Sequence, residues 1–337
     1  MKGQTVQHVN SFRALLRDTV NLSQTKLDLL DSRVEVIYQA LRKDPELGPL
    51  VLGKRPQGSW AQRTIINPVG DKEFDADFML DLAEVPEWAD SPETYIDKVY
   101  AALHRNGTYN DMPHTRKCRC VQLRYANSMH VDIVPHLFLA DGREVIVNRD
   151  DNCWEETNPD GFTAWMREKD GITDGNLRKV IRLMKFLRDH KNSFTGTRSI
   201  ILTTLLGERV SQATALARPG CYGNVPTALL TIVNDLDTWL QARPYKPSIA
   251  DPSGSGATFD HRWDQTTYGY FRARIHAHAQ EIREAYDEQD HDRSVRLWRN
   301  LFGDSFPSLP GTSSSSLAPK FAAASLLTTA TRTGRAG

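Results

Sequence analysis

Two aspartates alternate with apolar residues near position 75 and have the type and spacing of metal ligands. Asp75 and Asp77 are interleaved with Phe74, Ala76 and Phe78. Side chains alternate along a strand, so the two carboxylates share one face, roughly 6–7 Å apart along the backbone. At an effective dielectric constant of 20, two charges at that distance repel by about 2–3 kcal/mol. We therefore expect a compensating cation, and Mg²⁺ suits because it takes one or two carboxylates together with substrate phosphates.

A third aspartate stands in a second segment with the same alternation. Asp132 lies between Val131 and Ile133, which we expect to face a core. If the two strands are neighbours, three aspartates converge, and such a set can hold two metal ions roughly 3.5–4 Å apart in a phosphoryl-transfer clamp. Taken alone, an acidic strand of this kind is as readily explained by an ordinary solvent-exposed face as by a metal site.

A Gly-Ser pair precedes the first acidic strand. Gly58 permits a tight turn and a close approach of the backbone to a ligand, and Ser59 can cap the short helix that we expect to begin there. The free amides at a helix start form an anion site, so a phosphate could lie beside metals held by Asp75 and Asp77. The alternative is a plain serine N-cap. The combination of this pair with three aspartates is more specific than any one of them.

Hydrophobic periodicity predicts the elements that position these residues. Residues 8–43 contain no Gly or Pro and repeat at helical spacing, with Ser23 as the N-cap of a helix that ends near Arg42. Strands are predicted at Leu50–Leu52, Phe74–Leu82, Cys118–Tyr125, His130–Phe138 and Glu144–Val147. Helices are predicted at Tyr95–His104, Gly175–His190, Ser199–Leu206, Thr227–Ala242, Tyr268–Glu288 and Asp292–Phe302. This mixture predicts an α+β protein.

Composition limits the classes of function. The 337 residues suffice for about two domains, and 42 basic against 42 acidic residues give a net charge of zero, so we expect no long nucleic acid as a partner. The four cysteines form no CxxC pair, the start has no hydrophobic signal core and the most apolar run, Ile200–Leu206, is too short to span a membrane. We expect a cytoplasmic protein with no membrane partner.

The predicted helix at Gly175–His190 carries a basic stripe. Arg178, Arg182 and Lys185 fall at i, i+4 and i+7 on one face, while an adjoining apolar face packs inward. A cationic stripe beside three aspartates suits a triphosphate. A solvated basic face is the alternative, and for Arg178 it is the preferred interpretation.

Taken together, these motifs resemble the polymerase-β-type nucleotidyltransferases, and more narrowly the CD-NTase family of bacterial anti-phage (CBASS) systems. The resemblance rests on Gly58–Thr64, the gap to Glu73–Asp77, and His130–Pro135, and extends through the helices to about residue 310. It implies an α+β, bilobed fold with a nucleotidyltransferase sheet core, a long N-terminal helix and a C-terminal helical domain. The implied domains are a catalytic domain at 1–160 and a helical domain at 161–310 that closes the nucleotide cleft. Composition, rich in Ser, Thr, Ala and Gly without an acidic residue, predicts a disordered tail at 311–337.

The resemblance also implies the chemistry. Asp75, Asp77 and Asp132 would be catalytic and would bind two Mg²⁺ ions, for which Mn²⁺ can substitute. Nucleoside triphosphates, ATP among them, would be joined into a cyclic di- or trinucleotide with release of pyrophosphate. The implied nucleotide-binding residues are Gly58, Ser59, Arg182, Lys185 and Ser199.

Several alternatives stay open at this point. One is nucleotide transfer to tRNA or protein, and another is a non-catalytic nucleotide-binding scaffold. Cys118, Cys120 and Cys153 with His114 could form a zinc site, although reduced structural cysteines are preferred. The basic cluster at 116–124 could bind nucleotide or nucleic acid, although a solvated strand edge protected by charge is the preferred interpretation. The resemblance further suggests that a ubiquitin-transfer-like or other CBASS accessory protein acts on the tail, with Gly337 as the linked residue.

Overall fold

The structure, a computed structural model, describes residues 8–70, 73–126 and 129–309. The predicted disordered tail at 311–337, including Gly337, lies outside the described residues. Within the described part of the chain, no helix combines the length and the apolar character needed to cross a membrane.

A helical N-terminal region precedes the sheet. Helix α1 (Val9–Leu15) continues into a π-helical turn, Leu16–Val20, and α2 spans Gln24–Arg42. The Ser23 side chain accepts a hydrogen bond from the Lys26 amide at 3.3 Å, which confirms the predicted N-cap.

The described strands form one mixed sheet of seven. They are β1 (Val51–Gln57), β2 (Phe74–Leu82), β3 (His114–Arg116), β4 (Val121–Tyr125), β5 (Met129–Phe138), β6 (Glu144–Asn148) and β7 (Cys153–Glu156). The order is β1-β2-β5-β4-β3, with β6 paired to β5 and β7 paired to β6. Only β2 and β5 run parallel, and the other described pairs are antiparallel. The predictions missed β3 and β7, which are short and have no apolar alternation.

The remaining helices fall between and after the strands. They are α3 (Gly58–Ala61), α4 (Glu93–Arg105), α5 (Pro159–Ile172), α6 (Asn176–His190), α7 (Ser199–Gly207), α8 (Gln212–Ala217), α9 (Val225–Gln241), α10 (Gln265–Asp287) and α11 (His291–Phe302). The six predicted helices appear within three residues of their predicted ends. Helix α5 was not predicted, although Asn158 caps it by accepting from the Gly161 amide at 2.7 Å.

One hydrophobic core lies between the sheet and helices α2 and α4. The residues that alternate with the aspartates are part of it: Phe74, Ala76 and Phe78 from β2, and Val131 and Ile133 from β5, all buried. The predicted alternation is therefore confirmed, and the acidic positions lie on the opposite face of the sheet.

A second hydrophobic core is built around α6 and its helical neighbours. Helix α1 packs here, with Phe12 edge-on to Trp298 at a centroid distance of 4.9 Å. Ile66 and Val69, from the segment between β1 and β2, also pack against this core. These parts of the predicted 1–160 domain therefore pack with the helices rather than on the sheet, since their apolar side chains find partners there.

Candidate active site

A large cleft, with a volume of about 1120 Å³, lies beside the polar face of the sheet. One wall is formed by β1, α3, β2, β4 and β5, and the other by α5, α6, α7 and residues 257–262. The cleft therefore separates the sheet from the helical core, and Asp75, Asp77 and Asp132 all line it.

The parallel pairing of β2 and β5 brings the three aspartates together. The register pairs Asp77 with Asp132 and Asp75 with His130. Paired residues on neighbouring strands point to the same face, and neighbouring strands lie about 4.8 Å apart. Asp75 shares that face from two residues away. The arrangement is therefore a compact group of carboxylates at one end of two central strands.

Burial and repulsion between carboxylates raise the pKa values of Asp77 and Asp132. Burial raises the pKa of Asp77 to about 8, the charges of Asp75 and Asp132 add to the rise, and Lys185 opposes it. Burial also raises the pKa of Asp132, against a lowering hydrogen bond from Gln122 Nε2 to Asp132 Oδ1 at 3.0 Å. A cation bound among the carboxylates would relieve this repulsion.

The donor set suits a divalent metal whose coordination is completed by substrate. Among the residues the structure describes, no group of three or more His, Cys, Asp or Glu side chains is placed so that it could hold a metal ion by itself. Mg²⁺ does not require one, because it is held by one or two carboxylates together with waters and substrate phosphates. The crowded negative charge around Asp77 therefore fits a metal that arrives with a nucleotide.

Gly58 lies directly against the carboxylate of Asp77. Its φ is +59°, and a methyl group on its Cα would overlap Asp77 Oδ2. Glycine is the residue that accepts both the positive φ and the close approach. Ser59 follows within α3 and lines the cleft. The Gly-Ser turn expected from the sequence is thus in contact with the aspartates.

Lys185 and Ser199 reach the cleft from the helical side. Lys185 is 4% exposed, and its Nζ donates to the carbonyl and to Oγ1 of Thr64, both at 3.1 Å. An ammonium has three donors, so one remains for a ligand in the cleft. Burial lowers the pKa of Lys185 to about 8, with the charge of Arg188 acting in the same direction. Ser199 Oγ accepts from Arg188 Nη1 at 3.2 Å.

Arg182 and Arg178 do not line the cleft. Arg182 Nη1 donates to the Arg63 carbonyl at 2.8 Å, and Arg178 Nε donates to the Gln62 carbonyl at 2.8 Å. Arg178 also forms an ion pair with Asp170 and is largely buried, so the preferred interpretation of a solvated basic face is wrong for this residue. Spacing along the helix predicted the shared direction of these side chains, but not what they bind.

Sequence reasoning missed the hydrogen bond from Gln122 and several of the cations that line the cleft. Gln122 faces Asp132 across the antiparallel β4–β5 pair, so a predicted strand pairing could have revealed it. Lys117 and Arg119 belong to the basic cluster at 116–124, which the sequence marks but for which a strand edge is the preferred interpretation. Arg55, Arg188, Arg198 and Arg262 also line the cleft, and no spacing pattern marks them.

The basic and cysteine-containing segment at 116–124 has mixed roles. Arg116 follows the prediction of a charged edge, since it pairs with Asp97 at 2.6 Å. Lys117 and Arg119 instead face the cleft, where Arg119 Nη2 donates to Glu155 Oε1 at 2.6 Å. Cys118 donates to Asn148 Oδ1 at 3.2 Å. All four cysteines are free of disulfide bonds; Cys120 is buried and Cys153 is exposed.

Comparisons with known proteins agree with this geometry. Residues 6–170 match the Second Messenger Oligonucleotide or Dinucleotide Synthetase domain. The chain is 23% identical over 325 residues to a c-di-GMP synthase of Roseivirga ehrenbergii, covering 86% of this chain and 83% of the relative. It is 23% identical over 299 residues to a cyclic AMP-AMP-AMP synthase of an Acinetobacter species, covering 88% and 84%.

The fold matches a solved structure over most of its length. The Bradyrhizobium diazoefficiens CD-NTase CdnG, solved in complex with GTP, superposes with a TM-score of 0.70 at 18% identity, covering 89% of this chain and 96% of that one. The domain match, the relatives and this shared fold lead to one conclusion. The chain belongs to the CD-NTase family of nucleotidyltransferases, whose members synthesise cyclic oligonucleotides.

Proposed function

We propose that the protein joins nucleoside triphosphates into a cyclic di- or trinucleotide, with release of pyrophosphate, as a cytoplasmic enzyme of anti-phage defence. The observation that carries the proposal is the register that sets Asp77 beside Asp132, with Gly58 against Asp77 in the same cleft. A cleft of about 1120 Å³ exceeds the usual range for one drug-sized ligand, so it has room for two nucleotides.

Asp75, Asp77 and Asp132 would hold two Mg²⁺ ions, with Mn²⁺ as a possible replacement. When bound, the ions would lower the pKa of the attacking ribose hydroxyl and stabilise negative charge on the leaving pyrophosphate. Burial raises the pKa of Asp77, and the charges of Asp75 and Asp132 raise it further, so a cation bound beside these carboxylates would favour the ionised form.

The donor nucleotide would be held at its triphosphate. Gly58, Ser59, Lys185 and Ser199 line the same cleft as the aspartates, and the amides of Gly58 and Ser59 with the third donor of Lys185 would bind the phosphate oxygens. Backbone amides and an ammonium are suitable donors for phosphate oxygens. This arrangement would place the α-phosphorus close to the carboxylate group.

Asp132 is suited to take the proton from the attacking hydroxyl. Gln122 Nε2 donates to Asp132 Oδ1, and the Cys120 thiol also hydrogen-bonds this carboxylate, so its orientation is fixed. The ribose oxygen forms a bond to the α-phosphorus of the donor, the bond from that phosphorus to pyrophosphate breaks, and the proton passes to Asp132. Repetition of this step on the linear product closes the ring. Burial, which raises the pKa of Asp132, strengthens it as a base.

The test is a product analysis with a matched pair of variants. The protein is incubated with the four NTPs and Mg²⁺, and products are separated after phosphatase treatment. We expect phosphatase-resistant cyclic species from the unchanged chain and from Asp97→Asn, which alters a surface pair, and none from Asp75→Asn. Label transferred to tRNA or protein instead, or no release of pyrophosphate from any combination of NTPs, would contradict the proposal.

A further inference from the structure

Three basic side chains of α6 bind three consecutive backbone carbonyls. Arg178 Nε donates to the carbonyl of Gln62 at 2.8 Å, and Arg182 Nη1 to that of Arg63 at 2.8 Å. Lys185 Nζ donates to the next carbonyl at 3.1 Å. Donors on successive turns of one helix thus meet successive residues of one loop.

The bound carbonyls belong to the turn that ends α3. The amides of the same three residues bond back into α3, from Gln62 to the Gly58 carbonyl at 3.2 Å, from Arg63 to Trp60 at 3.0 Å and from residue 64 to Ser59 at 2.8 Å. Carbonyls at a helix end lack partners within the helix, and basic side chains satisfy them. The turn is therefore fixed on both sides, by α3 through its amides and by α6 through its carbonyls.

The turn cannot hold its shape by local preference alone. Arg63 has a φ of +55°, which is unfavourable for a side chain other than glycine. Helix α5 adds two supports: Thr163 Oγ1 accepts from Gln62 Nε2 at 3.0 Å, and Asp170 forms the ion pair with Arg178. The helical core therefore dictates the position of a turn that lies four residues after Gly58.

We infer that Arg178 and Arg182 are positioning residues for the nucleotidyl-transfer site. They act through the carbonyls of Gln62 and Arg63 and set where Gly58 and Ser59 present their amides to the triphosphate. Arg182 therefore orients the phosphate loop without touching the nucleotide. This inference rests on the proposed function, because it gives the loop its role as phosphate holder. A misplacement of about 1 Å at such a site can lower the reaction rate by about 100-fold.

The test compares Arg182→Met with Arg182→Lys and with Lys191→Met. Lys191 adjoins the end of α6 and makes the same type of bond, from Nζ to the Asn300 carbonyl at 2.8 Å, away from the phosphate loop. Burial lowers the pKa of Arg182, which means that a positive charge is unfavourable at this position. We therefore expect the uncharged Arg182→Met variant to fold. For each variant we would measure KM and kcat with Mg²⁺, the Kd of ATP with Ca²⁺ in place of Mg²⁺, Tm, and hydrogen exchange of residues 58–64.

We expect Arg182→Met to raise both KM and the Kd of ATP by about tenfold and to speed amide exchange in residues 58–64, with Tm little changed. Arg182→Lys, which can still donate to the carbonyl, should recover most of the affinity, and Lys191→Met should match the unchanged chain. Unaltered KM and Kd in Arg182→Met would overturn the inference while leaving the proposed function intact. So would a lysine variant as weak as the methionine one.

The two proposals fail in different ways. If the unchanged chain binds ATP but makes no oligonucleotide, the proposed function is wrong, and the Kd and exchange measurements still decide whether Arg182 positions the loop. If Arg182→Met unfolds, Arg182→Gln, which is uncharged and too short to reach the Arg63 carbonyl, replaces it in the same comparison. Normal KM, Kd and exchange in Arg182→Gln, with normal Tm, would then count against the inference.

Discussion

Replacing Asp77 by asparagine should stabilise the metal-free protein, and more so as the pH rises. Because the pKa of Asp77 is raised to about 8 in the folded state, the folded chain holds a proton that the unfolded chain releases above about pH 4. The folded state therefore binds more protons across this window, and its stability falls as the pH increases. The Asp77→Asn variant does not lose stability in this way as the pH rises, because asparagine has a similar shape and carries no charge.

The size of the effect follows from the same pKa. One proton of difference changes the free energy of unfolding by at most about 1.4 kcal/mol per pH unit, so from pH 5 to pH 7 the variant should gain up to about 2.7 kcal/mol over the unchanged chain. For a chain of this size, about 1 kcal/mol corresponds to a Tm change of roughly 2–4 °C. We therefore expect a relative gain of several degrees.

The measurement is thermal unfolding in EDTA at pH 5, 6, 7 and 8, repeated with Mg²⁺ and ATP. Asp90→Asn, at an exposed site outside the cleft, is the control and should follow the unchanged chain. Ligand should stabilise the unchanged chain increasingly toward pH 8 and should hardly stabilise Asp77→Asn, since the neutral amide gives up a charged metal ligand. A variant that is less stable than the unchanged chain in EDTA at pH 7 would refute the reasoning.

Three further changes test separate parts of the structure. Gly58→Ala should lower kcat/KM by more than about 100-fold, because its methyl group displaces the Asp77 carboxylate; activity near normal in a steady-state assay would contradict the close approach. Gln122→Leu should lower kcat by about tenfold with little change in Tm, because Asp132 loses the hydrogen bond that orients it. A change in KM with kcat unaltered would argue against this orienting role of Gln122. Ser23→Ala should lower the free energy of unfolding by about 1 kcal/mol in a denaturant titration without altering activity. An unchanged free energy of unfolding would contradict the role of Ser23 as N-cap.

The local elements were predictable because local rules govern them. Ser23 precedes a long apolar stripe, and α2 begins at the next residue. The strand Phe74–Leu82 was predicted with its observed ends, since alternation is strong when one face is buried. Helix α5 was not predicted from the sequence because its apolar positions are few and its start depends on a cap at Asn158.

The site was predictable only in part. Alternation showed which face Asp75 and Asp77 share, but the neighbouring position of Asp132 depends on a parallel pairing that no local pattern encodes. The same limit applies to Arg182, whose direction follows from helical spacing while its acceptor comes from a loop 119 residues away along the chain. Long-range pairing was supplied by the family resemblance and not by the residues themselves.

The segment that joins Gly58 to Asp75 crosses from one core to the other and back. Ile66 and Val69 pack with the helices, whereas Phe74 packs in the sheet core. The segment between Gly58 and Asp75 is therefore anchored in both cores. A rotation of the helical core relative to the sheet would change the spacing of these two proposed site residues.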